Sequence, residues 1–462
     1  MTMHPSCDRI LKGGDTMLKR KNLRPCMLLA CMALLCSCNT EEDIANLGGE
    51  TTASSQTLPS DSSPEGYDHF IDNCKYDHYS AEEYQAHVLK EGRKPVSEVK
   101  EEYTSLIERM MSDPQNCFTF ENTEVMPFPD ISQVSAVVAK ANSITCEDAW
   151  SIIEYWLDKW GLSDTVDMDT AVLDAKISKD RGEGEIPYAL AKDVWSETTG
   201  DGFMILDTQH CYIQIFGSGI GILSHGVITD YVGSKRGEKI SRTLDPYDVF
   251  GEVEKSGRLY ELKDEAYELI DSSSITVGEA ADIVYSFYAS CNSEDQEIYS
   301  VDVVRAEDRY YYRFNTRKVF RGVPLTVHEP GHITEYVKKY YMGGELGKVY
   351  VAGKDEVCAF CGSTGQSTAG DLIEPQDMML GPEEAMQIVY GIMSEDYRCN
   401  IDRIELCMAC YSTPNDPDRP GTFMPTCWEF TGHSDVSGKT IKIDVDVLTG
   451  EVGFIEFGRG NE

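Results

Sequence analysis

ITCEDAWSII at Ile144–Ile153 has two gap-free counterparts further along the chain, ITVGEAADIV at Ile275–Val284 and LGPEEAMQIV at Leu380–Val389. Thr145 and Thr276 stand where a helix N-cap is expected, and an acidic residue follows each three positions later, the spacing of a capping box. In the third stretch Gly381 takes the cap position and Pro382 the first helical position, where a missing N–H is harmless. Each stretch therefore predicts the start of a helix.

The three predicted helices share one apolar stripe. Counted from the alanine of each stretch, apolar residues recur at positions 0, +3, +4 and +7, the spacing of one helix face. They are Ala149, Ile152, Ile153 and Trp156; Ala280, Ile283, Val284 and Phe287; and Ala385, Ile388, Val389 and Ile392. The sequence thus predicts one helix with one buried face, used three times.

Strand-like segments follow each predicted helix. In the last of them, Ile441, Ile443, Val445 and Val447 alternate with Lys442, Asp444 and Asp446. This alternation predicts a strand with one buried and one solvated face. We therefore expect an α+β fold built of repeated modules, each with one capped helix packed on an antiparallel β-meander.

Three short motifs carry a resemblance to a known family. They are the helix opening Thr276-x-x-Glu279-Ala280, the aromatic-rich strand Thr426–Phe430 and the closing strand DVLTGEV at Asp446–Val452. Together they resemble PepSY-type domains and related repeat lipoproteins of bacteria. The resemblance covers about half of the chain, and the first repeat departs most from it. It implies extracytoplasmic binding or inhibitory modules, often near peptidases or regulators of the cell envelope, and it supplies no catalytic residues.

The first 37 residues predict a targeting segment rather than part of the fold. The basic stretch Met17–Pro25 precedes the apolar segment Cys26–Leu35. That segment is well short of the ~20 residues that span a bilayer. Met17 is the better start, because the residues from Met1 onward add nothing that a signal peptide needs, but the sequence leaves both open.

The end of this segment resembles the lipobox of bacterial lipoproteins. Leu35-Cys36-Ser37-Cys38 has an apolar residue at −3 and a small one at −1 before a cysteine. In that family the cysteine is diacylated on sulfur and becomes the mature N-terminus, so the resemblance assigns lipidation to Cys38. Cys31 is a weaker candidate because its apolar segment is shorter, and an uncleaved anchor is the alternative. We expect attachment to a bacterial membrane, facing outside the cytoplasm.

The rest of the chain divides by composition and pattern. A polar segment rich in Ser, Thr and Gly follows Cys38 and predicts a flexible tether. Its Glu41-Glu42-Asp43 is similar to surface-export signals of some Gram-negative lipoproteins, although the sequence leaves inner and outer membrane open. The predicted units are a signal peptide at 1–37, an acidic tether at 38–66, an N-terminal helical region at 67–140 with helices at Ala81–Lys90 and Val96–Met111, and α+β repeats at 141–270, 271–375 and 376–462.

The chain is strongly acidic. It has 79 Asp and Glu against 41 Lys and Arg, and a formal net charge of −38. Such a body repels nucleic acid and anionic lipid headgroups, so no nucleic-acid partner is expected. Solubility is the ordinary explanation of this charge, and a cationic partner is the alternative.

The sequence HEPGH at His328–His332 matches the H-E-x-x-H signature of zinc proteases. In those enzymes both histidines face one metal from a helix. Here Pro330 and Gly331 occupy the middle positions, and proline in a helix interior costs about 3 kcal/mol. Glu-Pro-Gly-His fits a type II turn between two strand-like segments. We therefore predict a turn, with incidental metal binding by His328 and His332 as the weaker alternative.

Two C-x-x-C pairs are also weak metal candidates: Cys358 with Cys361, and Cys407 with Cys410. Four thiolates can hold a structural zinc, but the second pair lies in a strand-like segment and exported compartments oxidise thiols. Disulfides among the C-terminal cysteines and unpaired buried thiols are the other interpretations. Cys358-Ala-Phe-Cys361 precedes a loop rather than a helix, which disfavours redox catalysis.

The other sequence patterns are weaker indications of a functional site. Gly217–Gly221 matches no phosphate-binding motif and predicts a turn or bulge. The acidic pair Asp444 and Asp446 is of a kind that binds calcium or supplies catalytic carboxylates, but a solvated strand face is the default for it. Trp195 and Trp428 remain as candidates for an aromatic binding surface.

These observations favour a non-enzymatic function. We expect a lipid-anchored extracytoplasmic lipoprotein that binds a protein or peptide at the cell envelope or regulates one, without a cofactor. An exposed sheet edge that accepts a peptide strand is one route to such binding. The alternatives are a glycan- or solute-binding lipoprotein with an aromatic-lined cleft, and a hydrolase that gathers His210, His225 or His328 with carboxylates in the fold.

Overall fold

A computed structural model describes residues 80–114, 118–141, 144–164, 203–207, 211–216, 219–225, 251–291, 293, 295–306, 308–327, 346–354, 357–362, 364, 367–393, 398–412, 422–435 and 438–457. The predicted signal peptide, the tether and Cys38 lie outside these ranges, as do His210, His328, His332 and Trp195. No helix within the ranges is long and apolar enough to cross a membrane.

The described helices are α1 (Ala81–His87), α2 (Val96–Ser112), α3 (Cys146–Lys159), α4 (Leu259–Leu262), α5 (Val277–Ser290) and α6 (Pro382–Ile392). The predicted helix starts are confirmed. Thr145 and Thr276 close capping boxes at α3 and α5, and Gly381 precedes Pro382 at α6. Helix α1 ends three residues before the predicted Lys90, because the backbone of Val88 already leaves the helical region.

The described strands are β1 (Lys94–Pro95), β2 (Phe118–Thr119), β3 (Glu124–Val125), β4 (Ala136–Ala141), β5 (Phe203–Asp207), β6 (Cys211–Phe216), β7 (Gly219–His225), β8 (Glu252–Gly257), β9 (Ala266–Glu268), β10 (Ser274–Thr276), β11 (Gln296–Ala306), β12 (Arg309–Phe320), β13 (Val323–Pro324), β14 (Leu346–Val351), β15 (Ala359–Gly362), β16 (Ser367–Asp371), β17 (Met378–Met379), β18 (Cys399–Met408), β19 (Tyr411–Ser412), β20 (Thr422–Ser434), β21 (Thr440–Asp446) and β22 (Val452–Phe457). Most belong to two nine-stranded sheets, and β1–β17 and β9–β10 form two small ones.

Sheet 1 has the order β5-β6-β7-β15-β14-β12-β11-β8, with β13 paired to β12, and every pair is antiparallel. Helices α3 and α5 cover one of its faces. Their apolar stripes meet where the rings of Trp156 and Phe287 lie 5.6 Å apart, above buried residues such as Val303 and Phe314. This packing explains why both helices carry the same spacing of apolar side chains.

Sheet 2 has the order β16-β4-β20-β18-β2, with β19 and β21 paired to β20, β22 to β21 and β3 to β18. Strands β2 and β3 run parallel to β18, and the other pairs are antiparallel. Helices α2 and α6 pack against its apolar face, where Val99 and Val389 join Trp428, Phe430 and Ile443 in one buried cluster.

The fold is therefore mixed α+β with mostly antiparallel strands, as predicted. The repeat organisation is not confirmed. Strands from the two ranges 141–270 and 271–375 share sheet 1, and β4 and β16 join sheet 2 from outside the range 376–462. The predicted domain boundaries stay a prediction.

Candidate functional site

Nine side chains on one face of sheet 2 form what we call the polar grid. Strands β18, β20 and β21 are adjacent and in register, so residues at alternate positions line up in rows across them. The rows are Arg403, Thr431 and Lys442; Glu405, Glu429 and Asp444; and Cys407, Cys427 and Asp446. The intervening residues face α2 and α6 and fill the apolar core.

The predicted solvated face of β21 is wrong. Lys442, Asp444 and Asp446 are only 1%, 1% and 0% exposed. Alternation identifies two faces of a strand, but it does not say whether a second layer covers the polar one. Here the segment that follows β13 helps to cover it, since the Thr326 N–H donates to the Met408 carbonyl at 3.0 Å and Leu325 bridges to Met408.

Lys442 joins the grid to Thr326, which lies two residues beyond β13 of sheet 1. Its Nζ lies 2.8 Å from Glu429 Oε2 and donates to Thr326 Oγ1 at 2.9 Å. The Thr326 hydroxyl in turn donates to Glu429 Oε2 at 2.5 Å. Since the Lys442 and Glu429 side chains are 0% and 1% exposed, these charge-assisted bonds replace the water that both groups lose on burial.

Glu405 is held between two arginines. Its Oε1 accepts from Arg317 Nη2 of sheet 1 at 2.6 Å, and its Oε2 accepts from Arg403 Nη2 at 2.7 Å. Arg317 also donates to the carbonyl of Leu325 at 3.2 Å and to Glu297 at 3.3 Å. Its side chain is 2% exposed, so Arg317 is the second buried cation that links the two sheets.

Asp446 accepts hydrogen bonds from three donors. Its Oδ2 accepts from the Tyr84 hydroxyl at 2.7 Å, and its Oδ1 accepts from the N–H groups of Leu448 at 2.8 Å and Thr449 at 3.3 Å. These bonds shape the turn that leads into β22 and attach α1 to it. Burial, and then the adjacent Asp446 carboxylate, raises the pKa of Tyr84 well above its ordinary value.

Asp444 has the poorest set of partners in the grid. Its Oδ2 accepts from the Tyr411 hydroxyl at 3.1 Å and lies 3.5 Å from Lys442 Nζ. Its Oδ1 is buried without a hydrogen-bond partner. Burial is the main cause that raises the pKa of Asp444 to about 6; Lys442 opposes this shift and Glu429 adds to it. Opposite Asp444, Gly453 leaves the space that the Tyr411 hydroxyl occupies.

The two grid thiols are unreactive in this environment. The Cys407 thiol donates to Glu429 at 3.5 Å. Both Cys407 and Cys427 are fully buried, and neither forms a disulfide within the described residues. Burial, then nearby carboxylates, raises the pKa of each thiol well above its ordinary value. Because the thiolate is the nucleophile, neither cysteine is activated for catalysis.

The polar grid is a junction rather than a substrate site. The side chains of Arg317, Glu405, Glu429, Lys442 and Asp444 are at most 3% exposed, so no ligand reaches them from solvent. Their hydrogen bonds run mainly to each other and to sheet 1. Chemically, the arrangement fixes one sheet against the other and includes a carboxyl group, that of Asp444, with a raised pKa.

The predicted metal candidates are not assembled within the described ranges. No group of three or more His, Cys, Asp or Glu side chains there is arranged to hold a metal. Cys358, beside β15, donates to the Tyr350 carbonyl at 3.2 Å, whereas Cys407 lies in sheet 2 and Cys410 just beyond its strand. Within the described residues, no disulfide is formed by the cysteines at these positions.

The remaining sequence candidates have mixed outcomes. Trp428 is not a surface residue: it is 0% exposed, and its indole N–H donates to the Leu380 carbonyl at 2.9 Å. It is buried because its strand position faces the helices. His225 ends β7, but its side chain is outside the described set. The glycine-rich stretch continues into β7 next to a register shift in β6, which agrees with the predicted bulge.

Sequence reasoning missed Arg317, Thr326, Glu405 and Glu429. A usable signal was present, because three strand-like segments alternate apolar with charged residues and the first two also carry cysteine on the polar face: Arg403-x-Glu405-x-Cys407, Cys427-x-Glu429, and Lys442-x-Asp444-x-Asp446. Cysteine is among the most buried residue types. Because the cysteines lie on the same strand face as the charged residues, they indicate that this polar face is covered.

An accessible surface is found at the edge of sheet 1. Among the strands that the structure describes, β8 ends the order of sheet 1, and residues Glu252–Ser256 are all exposed. Glu252 lies 3.0 Å from Arg305, and the Tyr310 hydroxyl donates to Glu254 at 3.1 Å. A register shift against β11 marks a bulge in this pair. We call β8 the edge strand.

A cleft of about 660 Å³ lies at the start of α2 and is lined by Ser97, Lys100, Glu101, Asp130, Ile131 and Ser132. Lys100 and Asp130 form an ion pair across it at 2.5 Å. The lining contains no aromatic side chain, so this cleft does not fit the aromatic surface expected of a glycan-binding site.

No family model and no curated protein matches this chain. Solved structures that resemble it include an uncharacterized protein from Eubacterium rectale, which is 12% identical, covers 76% of this chain and 98% of its own, and has a TM-score of 0.42. Another is the C-terminal domain of Bacillus megaterium YpeB, with 12% identity, coverage of 69% and 100%, and a TM-score of 0.28. Similarity at this level carries no argument about function.

Proposed function

We propose that this chain is a lipid-anchored, extracytoplasmic binding module that holds an extended basic peptide segment along the edge strand β8. The lipobox-like Cys38, the polar tether and the short PepSY-like motifs support the location and the class of module. The observation that carries the binding site is the exposure of Glu252–Ser256 at the end of a nine-stranded sheet.

An edge strand offers backbone N–H and C=O groups to a partner strand, and its side chains select the partner. Glu252 is 84% exposed and Glu254 is 42% exposed at their side chains. Their contacts with Arg305 are exposed ion pairs, which contribute only about 0–1 kcal/mol each. A lysine or arginine of a bound peptide can therefore replace Arg305 at little cost.

The same edge resists indiscriminate pairing. Charged side chains and a bulge both protect edge strands from unspecific association, and β8 has both. This combination favours partners whose charge complements Glu252 and Glu254. A basic segment meets that condition, and the net charge of −38 draws such a segment toward the protein.

The proposal is tested by fluorescence anisotropy with the full mature chain and labelled ten-residue peptides that alternate valine with lysine or valine with glutamate. We expect the basic peptide to bind and the acidic one not to bind. The double variant Glu252→Lys/Glu254→Lys is expected to weaken binding roughly tenfold, because two exposed charge contacts turn repulsive. The matched control Glu102→Lys/Glu108→Lys makes the same charge change on exposed positions of α2 and leaves binding unchanged.

A backbone test separates strand addition from general charge attraction. Neighbouring N–H groups of a strand point to opposite edges, so only one of Lys255→Pro and Ser256→Pro removes an N–H that faces outward. That variant is expected to lose peptide binding while keeping its stability, and the other to lose stability. Binding that survives both substitutions, or that weakens equally in the α2 control, would refute the proposal.

A further inference from the structure

We propose that the polar grid is a proton-dependent junction: sheet 1 is held on sheet 2 more tightly when the Asp444 carboxyl carries a proton than when it is ionised. This inference is independent of peptide binding at β8. It rests on the charges and contacts buried between the two sheets.

The charges of the polar grid and Arg317 do not balance. Four carboxylates face three cations, namely Glu405, Glu429, Asp444 and Asp446 against Arg317, Arg403 and Lys442. Isolated charge in a dry interior is strongly unfavourable, so one of these carboxylates gains most from binding a proton.

The contacts identify which carboxylate that is. Glu405 has an arginine on each oxygen, and Asp446 accepts three hydrogen bonds. Glu429 takes the close contact with Lys442 at 2.8 Å, while Asp444 stands at 3.5 Å from the same ammonium group. Only Asp444 has a buried carboxylate oxygen without a hydrogen-bond partner among the described residues of the grid.

Groups on every neighbouring strand bear on Asp444. They are Lys442 on its own strand, Glu429 and Cys427 on β20, Tyr411 on β19 and Cys407 on β18, while Gly453 on β22 contributes no side chain. Only Lys442 among them is a cation. Ionised Asp444 therefore competes with Glu429 and Thr326 for one ammonium group, and Thr326 lies on the segment that leaves β13 of sheet 1.

The sign of the effect follows from linkage. Burial raises the pKa of Asp444 from 3.8 to about 6. A carboxyl whose pKa is raised in the closed state contributes stability that is fully present below its unperturbed pKa and is lost as the pH rises through the raised value. Opening of the junction hydrates Asp444, so opening becomes easier between about pH 4 and pH 6 and stays easier above that window.

The thiol of Cys407 reports this opening, because it lies inside the grid and is fully buried. We would alkylate the full chain, follow Cys407 by peptide mass spectrometry, and divide the labelling rate of the denatured chain by that of the folded chain at the same pH. The resulting protection of Cys407 is expected to fall roughly tenfold between pH 5 and pH 8 in the natural protein. In Asp444→Asn, whose side chain stays neutral, it is expected to stay constant.

Two further variants keep the test decisive. Asp130→Asn changes an exposed carboxyl far from the grid and should reproduce the natural profile. Tyr411→Phe removes a hydrogen bond that favours ionised Asp444, so the fall in protection should move to higher pH. A natural profile without a fall, the same fall in Asp444→Asn, or an unmoved profile in Tyr411→Phe would each overturn the proposal.

Discussion

Replacing Arg317 with methionine removes a buried cation that links sheet 1 to sheet 2. The side chain is 2% exposed and donates to Glu405 at 2.6 Å, to the Leu325 carbonyl at 3.2 Å and to Glu297 at 3.3 Å. Methionine has a similar length and keeps much of the packing, so the substitution mainly deletes charge and hydrogen bonds.

The expected loss of stability depends on the charged groups that remain buried after the substitution. Breaking one partner of a buried ion pair costs about 3–5 kcal/mol, because the other charge loses its compensation. Glu405 keeps one bond to Arg403 at 2.7 Å, which places the expected loss at the lower end, about 3 kcal/mol. Arg305→Met is the matched control, since Arg305 is 47% exposed and its ion pairs contribute under about 1 kcal/mol.

Urea unfolding of the full chain, followed by tryptophan fluorescence and far-UV circular dichroism, measures both variants. A double-mutant cycle with Glu405→Gln isolates the pairwise contribution, which we expect to exceed about 1 kcal/mol because the two side chains are in contact. The reasoning fails if Arg317→Met and Arg305→Met lose the same stability, or if the effects of Arg317→Met and Glu405→Gln simply add.

Three further changes test other parts of the fold by the same unfolding assay. Gly432→Ala should destabilise by about 3 kcal/mol or more, because a Cβ there overlaps the backbone carbonyl of Asn400; unchanged stability would contradict the register of β18 and β20. Thr276→Ala should cost about 1 kcal/mol through loss of the N-cap bond of α5, whereas Thr276→Ser should cost much less. Trp428→Phe should cost about 2–3 kcal/mol, because it leaves the Leu380 carbonyl without its indole donor and a gap in the core; an effect under about 0.5 kcal/mol would argue against the buried position.

The helices were predictable because their signals are local. A capping box needs only a hydroxyl and an acidic side chain three residues apart, and Thr145 and Thr276 form it as expected. The apolar stripe of each helix also survives into the structure, since Ala149, Ala280 and Ala385 are all buried. No distant part of the chain has to be known for either inference.

The functional surfaces were less predictable because they depend on partners far away in the chain. Glu405 and Arg317 are 88 residues apart, and Lys442 meets Thr326 across 116 residues. In neither pair does the local sequence around one residue predict its partner. The edge position of β8 depends likewise on the order of the strands in sheet 1, which local patterns leave open.

Local sequence patterns were enough to predict where α3, α5 and α6 begin, which face of each helix is apolar, and that β21 has one apolar and one polar face. The tertiary structure alone decided that the polar face is covered and that strands from separate parts of the chain share two sheets. The difference arises because the interactions concerned act over different distances along the chain. Capping and periodicity act within a few residues, whereas burial of a charge becomes tolerable only when a distant segment supplies its counter-charge and hydrogen bonds.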